Sequence, residues 1–115
     1  MNHNELFVNE IFTELIINNI DEYKSILEDN SERKLSTTFA SVKNIFSQLD
    51  DHEKNSMYDF FRIITSNSVS TILGTIDGTT FLGCLDGEIK LLYDDIEIQG
   101  DLQSVFLEKM ENIKS

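Results

Sequence analysis

The spacing of the apolar residues, which changes character near residue 74, constrains the fold most strongly. Up to residue 73 apolar side chains recur every three or four positions, the spacing that lines one side of a helix. Beyond it, the dipeptides Asp77-Gly78 and Asp86-Gly87 indicate tight turns between short apolar runs. We therefore predict an α+β domain with an N-terminal helical layer of about three helices, a small antiparallel β-meander of three strands and a C-terminal helix.

The first two predicted helices differ in how clearly they begin and end. Residues 4–28 form one helix, or two with a break near residues 18–19. The second helix runs from about residue 32 to residue 48, and Asn30-Ser31 offer capping side chains before it.

The third predicted helix has a clear beginning and an ambiguous end. It begins with Asp50 and Glu53, whose spacing is typical of a capping box. The polar run at residues 66–68 could end it, and residues 67–76 are compatible with a helix or a strand. We favour a helix, interrupted or not, as far as Gly74.

The predicted meander contains Phe81-Leu82, the run from Glu88 to Tyr93, and Ile96 to Ile98, with Asp94-Asp95 as its last tight turn. Gly100-Asp101 then ends the sheet and begins the final helix. No linker or repeat separates these elements, so we expect residues 1–115 to form a single domain.

The charge of the chain limits its partners. The 115 residues carry a net charge of −12, which repels nucleic acid and anionic lipid and attracts basic surfaces, and which also keeps a protein soluble. A single cysteine, Cys84, fits a reducing compartment. The N-terminus lacks the basic residues of an export signal, and no apolar run approaches the roughly 20 residues of a membrane span. We therefore expect a cytoplasmic protein that binds neither nucleic acid nor membranes.

Residue types that support catalysis are scarce. His52 lies in the first turn of a predicted helix, where we expect an exposed imidazole, and Cys84 lies in a predicted apolar strand, where we expect a buried and inert thiol. Residues 77–88 have the length of a calcium loop, but Leu82 replaces the glycine that such a loop requires. We therefore predict no enzyme activity, no catalytic residue and no cofactor or metal site.

Acidic residues are concentrated in the predicted meander. From Ile76 to Asp101 seven acids stand against Lys90 alone, and 7 minus 1 gives −6, half of the net charge of −12. Because the acids fall at turns and at alternating strand positions, we expect them to face solvent. There they either capture a basic partner or protect the sheet edges from aggregation. The candidate partner-binding residues, which include one aromatic anchor, are Asp77, Asp86, Glu88, Tyr93, Asp94, Asp95 and Glu97.

Three stretches, MYDFFRIITS, SVSTILGTIDG and GDLQSVFLEKMENIK, resemble small acidic bacterial immunity proteins encoded beside polymorphic or contact-dependent toxins. The resemblance covers roughly residues 55–113 and contains no specific functional motif. It implies a protein that covers and blocks a cognate toxin, often a basic nuclease domain. We therefore predict a non-enzymatic immunity or antitoxin-like inhibitor that neutralises a basic toxin by stoichiometric binding.

Two other interpretations remain open at this point. The first is a structural or self-associating module, in particular a homodimer, because Leu6, Phe7, Val8, Ile16 and Ile17 cannot all face one side of the N-terminal helix. The second is a small enzyme or carrier, which requires an apolar pocket with converging polar groups.

Overall fold

The structure, a computed structural model, describes residues 2–29 and 34–113. Within these ranges the chain is mostly helical, with four helices and one small antiparallel sheet. This agrees with the predicted α+β class, although the sheet is smaller than expected.

The N-terminal helix is continuous and contains one wider turn. Helix α1 (His3–Phe12) passes into a π-helical segment (Thr13–Asn18) and then directly into helix α2 (Asn19–Glu28). Of the two alternatives for residues 4–28, the single helix is confirmed and the break near residues 18–19 is absent. In a π-helical turn the hydrogen bonds span five residues, so the face of the helix that meets the core is rotated without interrupting the helix.

Helix α3 (Thr37–Phe46) begins later than the sequence predicts. Ser36 caps it, since its Oγ accepts a hydrogen bond from the Phe39 N–H at 3.4 Å. The predicted capping residues Asn30-Ser31 lie outside the described residues. The Phe39 ring lies 6.1 Å from the ring of Tyr23, which ties α3 to α2.

Helix α4 (Asp51–Asp77) is the longest element, with 27 residues. Its predicted capping box is confirmed: Asp50 Oδ1 accepts from the Glu53 N–H at 2.8 Å, and Glu53 Oε1 accepts from the Asp50 N–H at 2.9 Å. Residues 67–76 are helical, and the polar run at residues 66–68 does not end the helix. Serine and threonine hydroxyls there donate to carbonyl oxygens of the preceding turn instead of competing for the helical N–H groups.

A single hairpin is the only sheet among the described residues. Strand β1 (Leu92–Tyr93) is antiparallel to strand β2 (Ile96–Glu97). Asp94 and Asp95 both adopt left-handed backbone angles, with φ of 51° and 63°. Two consecutive left-handed residues make the tight turn that suits the twist of a hairpin, and aspartate tolerates this conformation. The predicted turn at Asp94-Asp95 is confirmed.

The third predicted strand is absent. Residues 78–90 contain turns and irregular backbone without a ladder partner. Gly83 has a φ of +52°, and around it the Leu85 N–H donates to the Leu82 carbonyl oxygen at 2.9 Å. A left-handed residue inside such a short apolar run reverses the chain before a ladder can form. The prediction of a three-stranded meander is therefore wrong.

Two hydrophobic clusters share helix α4. The larger one joins α1, the π segment, the C-terminal half of α4 and helix α5 (Leu102–Ile113). Its buried residues are Val8, Ile16, Val69, Leu73, Leu102, Phe106 and Met110. The smaller one joins α2, α3 and the N-terminal half of α4, and its buried residues are Leu27, Phe46 and Tyr58. Helix α4 spans both clusters because it is about 40 Å long.

Two clusters along one helix make the molecule elongated. Its radius of gyration is 17.3 Å and its extents are 47 × 33 × 25 Å, whereas a compact domain of this length has a radius of gyration of about 13 Å. Its solvent-accessible surface is 7935 Å², against about 6,400 Å² for a typical monomer of this mass. The chain therefore exposes roughly 1,500 Å² more surface than its size requires.

Candidate partner-binding surface

Residues 81–97, called the acidic segment below, are anchored at the N-terminal end by Gln103 on helix α5. Its Nε2 donates to the Ser70 carbonyl oxygen on α4 at 3.0 Å and to Thr80 Oγ1 at 3.4 Å. Gly74 allows this approach, because a Cβ at that position would overlap the side chains of Thr80 and Gln103. The glycine therefore has a packing role that outweighs its low helix propensity.

The hairpin anchors the other end of the acidic segment. Ile98 is buried, and its N–H donates to the Leu91 carbonyl oxygen at 2.9 Å. The Leu91 N–H in turn donates to Gln99 Oε1 at 3.0 Å. The ring of Tyr93 meets the ring of His3 edge-on, with centroids 5.3 Å apart. The hairpin is therefore fixed against the start of helix α1.

Asp77, one of the candidate binding residues, is engaged within the fold. Its Oδ1 accepts from the N–H groups of Gly100 at 2.7 Å and Leu102 at 3.2 Å, and its Oδ2 accepts from the Gln103 N–H at 2.8 Å. These N–H groups open helix α5, which lacks carbonyl partners for them, so a carboxylate is well suited to this position. Asp77 joins the C-terminus of α4 to the N-terminus of α5.

Between its anchors the acidic segment is fully accessible: each of residues 81–90 is exposed. Phe81 has 83% of its surface exposed and Leu85 58%. Apolar side chains this exposed contribute little to the fold. Their position beside acidic residues gives the segment a mixed apolar and negative surface.

The remaining acidic candidates, Asp86, Glu88, Asp94, Asp95 and Glu97, are all exposed. Glu97 Oε1 lies 3.5 Å from Lys90 Nζ, which partly neutralises that carboxylate, and its Oε2 accepts from Gln99 Nε2 at 3.1 Å. The other four lie at the tips of turns or beside them, where a partner can reach them.

Two predictions about reactive side chains have different outcomes. His52 is exposed in the first turn of α4, as expected. Cys84 is also exposed, in a turn, so the prediction of a buried thiol in a strand is wrong. The reason is again the turn at Gly83, which directs the run away from the core. In residues 2–29 and 34–113 no three His, Cys, Asp or Glu side chains converge as metal ligands would.

Sequence reasoning missed Phe81, Leu82 and Leu85 as surface residues. It placed Phe81 and Leu82 in a half-buried strand because they are apolar. The signal against that interpretation was present: glycines at 78, 83 and 87 interrupt the run at intervals too short for a paired strand.

No protein-family model, no curated protein and no solved structure matches this chain. None of the helices in the described part combines the length and the apolar character needed to cross a membrane.

Proposed function

We propose that this protein is a non-enzymatic binding module, an immunity or antitoxin-like inhibitor that docks its acidic segment onto a basic protein in the cytoplasm. One observation carries the proposal: ten consecutive residues, 81–90, are exposed between two anchored ends and include Phe81 at 83% exposure. A toxin with a basic active site, such as a nuclease domain, is the partner class that this surface fits.

The carboxylates and the apolar residues have different parts in the proposed mechanism. The acids of the segment, above all Asp86, Glu88, Asp94 and Asp95, attract a basic surface and accelerate the encounter. Phe81 and Leu85 then enter apolar depressions on the partner and slow dissociation, as buried aromatic anchors do in protein interfaces.

The anchors at Gln103 and the hairpin favour tight binding. A segment whose ends are fixed loses less conformational freedom on docking than a free loop, so more of the interaction energy appears as affinity. Tyr93 extends the surface along the hairpin, where its contact with His3 limits its rotamers.

The test is quantitative capture from the lysate of the host strain, with the product of the neighbouring gene co-expressed. Three tagged baits are compared: the wild type, Asp86→Lys with Glu88→Lys, and the control Glu10→Lys with Glu111→Lys. The two double variants change the net charge equally and alter exposed residues only, so they separate local docking from overall charge.

We expect the wild type and the control to retain one basic protein at a one-to-one ratio, and the segment variant to lose it. Retention should also weaken as salt is added, because charge attraction at an exposed surface is screened. Equal retention of the partner by both double variants contradicts the proposal, and so does repeated recovery of the bait alone.

A variant of the hairpin turn refines the same test. Asp94→Asn with Asp95→Gly removes two charges and keeps residue types that accept the left-handed backbone found at these positions. Lysine at either position would strain the turn, so neutralisation is the cleaner substitution. We expect slower association with the captured partner and an unchanged thermal midpoint.

A further inference from the structure

Helix α4 exposes a second apolar surface, away from the acidic segment. Met57, Phe60 and Ile64 follow one another at spacings of three and four, so they lie along one line of the helix. Phe60 is 52% exposed and Ile64 49%, and Ile63, three residues after Phe60 and next to it on the helix surface, is 52% exposed. Together these four side chains expose roughly 380 Å² of apolar surface, at about 200 Å² for each large side chain. This is the size of the largest apolar patch on a typical monomeric protein, and such patches are often functional.

The same line continues toward the C-terminus with small residues. Ser68, Thr71 and Thr75 follow Ile64 at spacings of four, three and four. Their hydroxyls already donate to helix carbonyl oxygens, at 2.9 Å, 2.8 Å and 2.7 Å respectively. A partner can therefore cover them without leaving a buried donor unsatisfied, which removes the usual cost of burying a hydroxyl. The line from Met57 to Thr75, called the α4 stripe below, is about 27 Å long.

No position of the α4 stripe carries a formal charge, although the chain as a whole has a net charge of −12. A second copy of the chain is repelled by the acidic surfaces elsewhere, and the repulsion is weakest where the facing residues are neutral. A basic partner, in contrast, is attracted to the acidic segment and not to this stripe. The charge distribution therefore favours a second copy as the occupant.

The stripe is also complementary to itself in size. If two copies of α4 pack antiparallel with their Ile64 residues opposite each other, Phe60 of one faces Ser68 of the other. Met57 then faces Thr71. The contacts of Phe60 with Ser68 and of Met57 with Thr71 each occur twice, as a two-fold interface requires. Ile64 meets its own counterpart on the axis, and Thr75 lies opposite Glu53 at the edge of the neutral contact.

We propose that the protein forms a two-fold symmetric homodimer through the α4 stripe, in an antiparallel arrangement centred on Ile64. A stable interface buries about 800 Å² on each partner, and the chain exposes roughly 1,500 Å² more than a typical monomer of its mass. The stripe and its polar flanks can supply this area. The acidic segments of both copies remain free for other partners.

The first test is the molar mass in solution, measured by size exclusion with light scattering. We expect twice 13.2 kDa for the wild type, and a shift to 13.2 kDa for Phe60→Glu with Ile64→Glu. The control is Ile45→Glu with Leu107→Glu, which adds the same two charges at exposed residues of helices α3 and α5 and should leave the dimer intact. A monomeric wild type, or a dimer that survives the double variant, overturns the proposal. Circular dichroism verifies that each variant is folded.

The dependence of dimer affinity on salt concentration is a second test, and the proposal predicts its direction. Two chains of −12 repel each other, so the dimer should be tighter in about 1 M than in about 0.01 M salt, where charges interact over about 3 Å and 30 Å. Binding of a basic partner to the acidic segment should weaken over the same range. The two proposals rest on different surfaces and opposite salt effects, so failure of one is distinguishable from failure of the other.

Cysteine cross-linking tests the register. In a Cys84→Ser background, Ile64→Cys should form a cross-chain disulfide under mild oxidation, because each copy faces its own counterpart at this position. Ser68→Cys alone should not, whereas Phe60→Cys together with Ser68→Cys should. Cross-linking by Ser68→Cys alone contradicts the antiparallel register.

Discussion

Helix α5 and the acidic segment each contain a phenylalanine, and the two differ completely in burial. Phe106 on α5 is 0% exposed and lies in the larger cluster, with its ring 6.3 Å from that of Phe12. Phe81 in the acidic segment is 83% exposed. One phenylalanine stabilises the fold through burial, and the other contributes almost nothing to it. The difference shows that the segment is held in place by a scaffold whose stability comes from elsewhere, which leaves its apolar side chains accessible to the partner that we propose.

The largest expected difference in stability is between alanine variants of these two phenylalanines. Phe106→Ala removes a fully buried ring, and we expect the free energy of unfolding to fall by about 3–5 kcal/mol. Phe81→Ala should change it by less than about 0.5 kcal/mol, as exposed substitutions do. Urea unfolding followed by circular dichroism measures both values. A loss of similar size in the two variants would show that the segment packs on the scaffold.

The second comparison concerns two glycines, one at the base of the segment and one within it. Gly74→Ala places a methyl group against Thr80 and Gln103, so we expect a loss of about 1–3 kcal/mol from overpacking. Gly87→Ala is the matched control, since no heavy atom lies within 4 Å of its added Cβ. Thermal unfolding of both variants checks the prediction, and equal midpoints would contradict the role assigned to Gly74.

Asp77 and Asp86 should also differ in their contribution to stability. Asp77→Ala leaves N–H groups at the start of α5 without their acceptor, so we expect a loss of about 1–2 kcal/mol. Asp86→Ala should leave stability unchanged and weaken only the binding of a partner. Denaturation and partner capture with both variants test this assignment. If Asp77→Ala is as stable as the wild type, the assigned role of Asp77 as the acceptor for helix α5 is contradicted.

The smallest expected change in stability is at Tyr58, in the smaller hydrophobic cluster, and it depends on pH. Burial, together with the hydrogen bond that the Tyr58 hydroxyl donates to Glu28 Oε2 at 2.8 Å and the charge of Glu28, raises the pKa of Tyr58 above its usual range. Tyr58→Phe should cost about 1 kcal/mol at neutral pH. A raised pKa stabilises the fold fully below the unfolded value of about 10, and this contribution is lost as pH rises above it. Stability curves of wild type and variant should therefore converge above pH 10, and parallel curves would contradict this account.

The helices could be predicted from the sequence where local signals agree with tertiary packing. Asp50 and Glu53 form the predicted capping box, and the apolar period marks α4 correctly. The polar run at residues 66–68 suggested a break because serine and asparagine are poor helix formers in isolation. Hydroxyl bonds to the preceding turn and the burial of Val69 and Leu73 outweigh that preference.

The acidic segment was harder to predict because alternation alone does not show whether a strand has a partner. Cys84, like the apolar residues around it, is exposed, and only the backbone angle of Gly83 explains why. The use of Asp77 as the acceptor for α5 depends on a contact across more than twenty residues, which the local sequence does not reveal. The π segment (Thr13–Asn18) has no local sequence signal that we identified.

The most direct test of the central claim is the affinity of the captured basic partner for wild type and for Phe81→Ala with Leu85→Ala. The partner's dissociation constant should rise by about thirtyfold or more, the effect of removing an interface anchor, while the free energy of unfolding stays within about 0.5 kcal/mol of the wild type. An unchanged dissociation constant would contradict the assignment of the acidic segment as the binding surface.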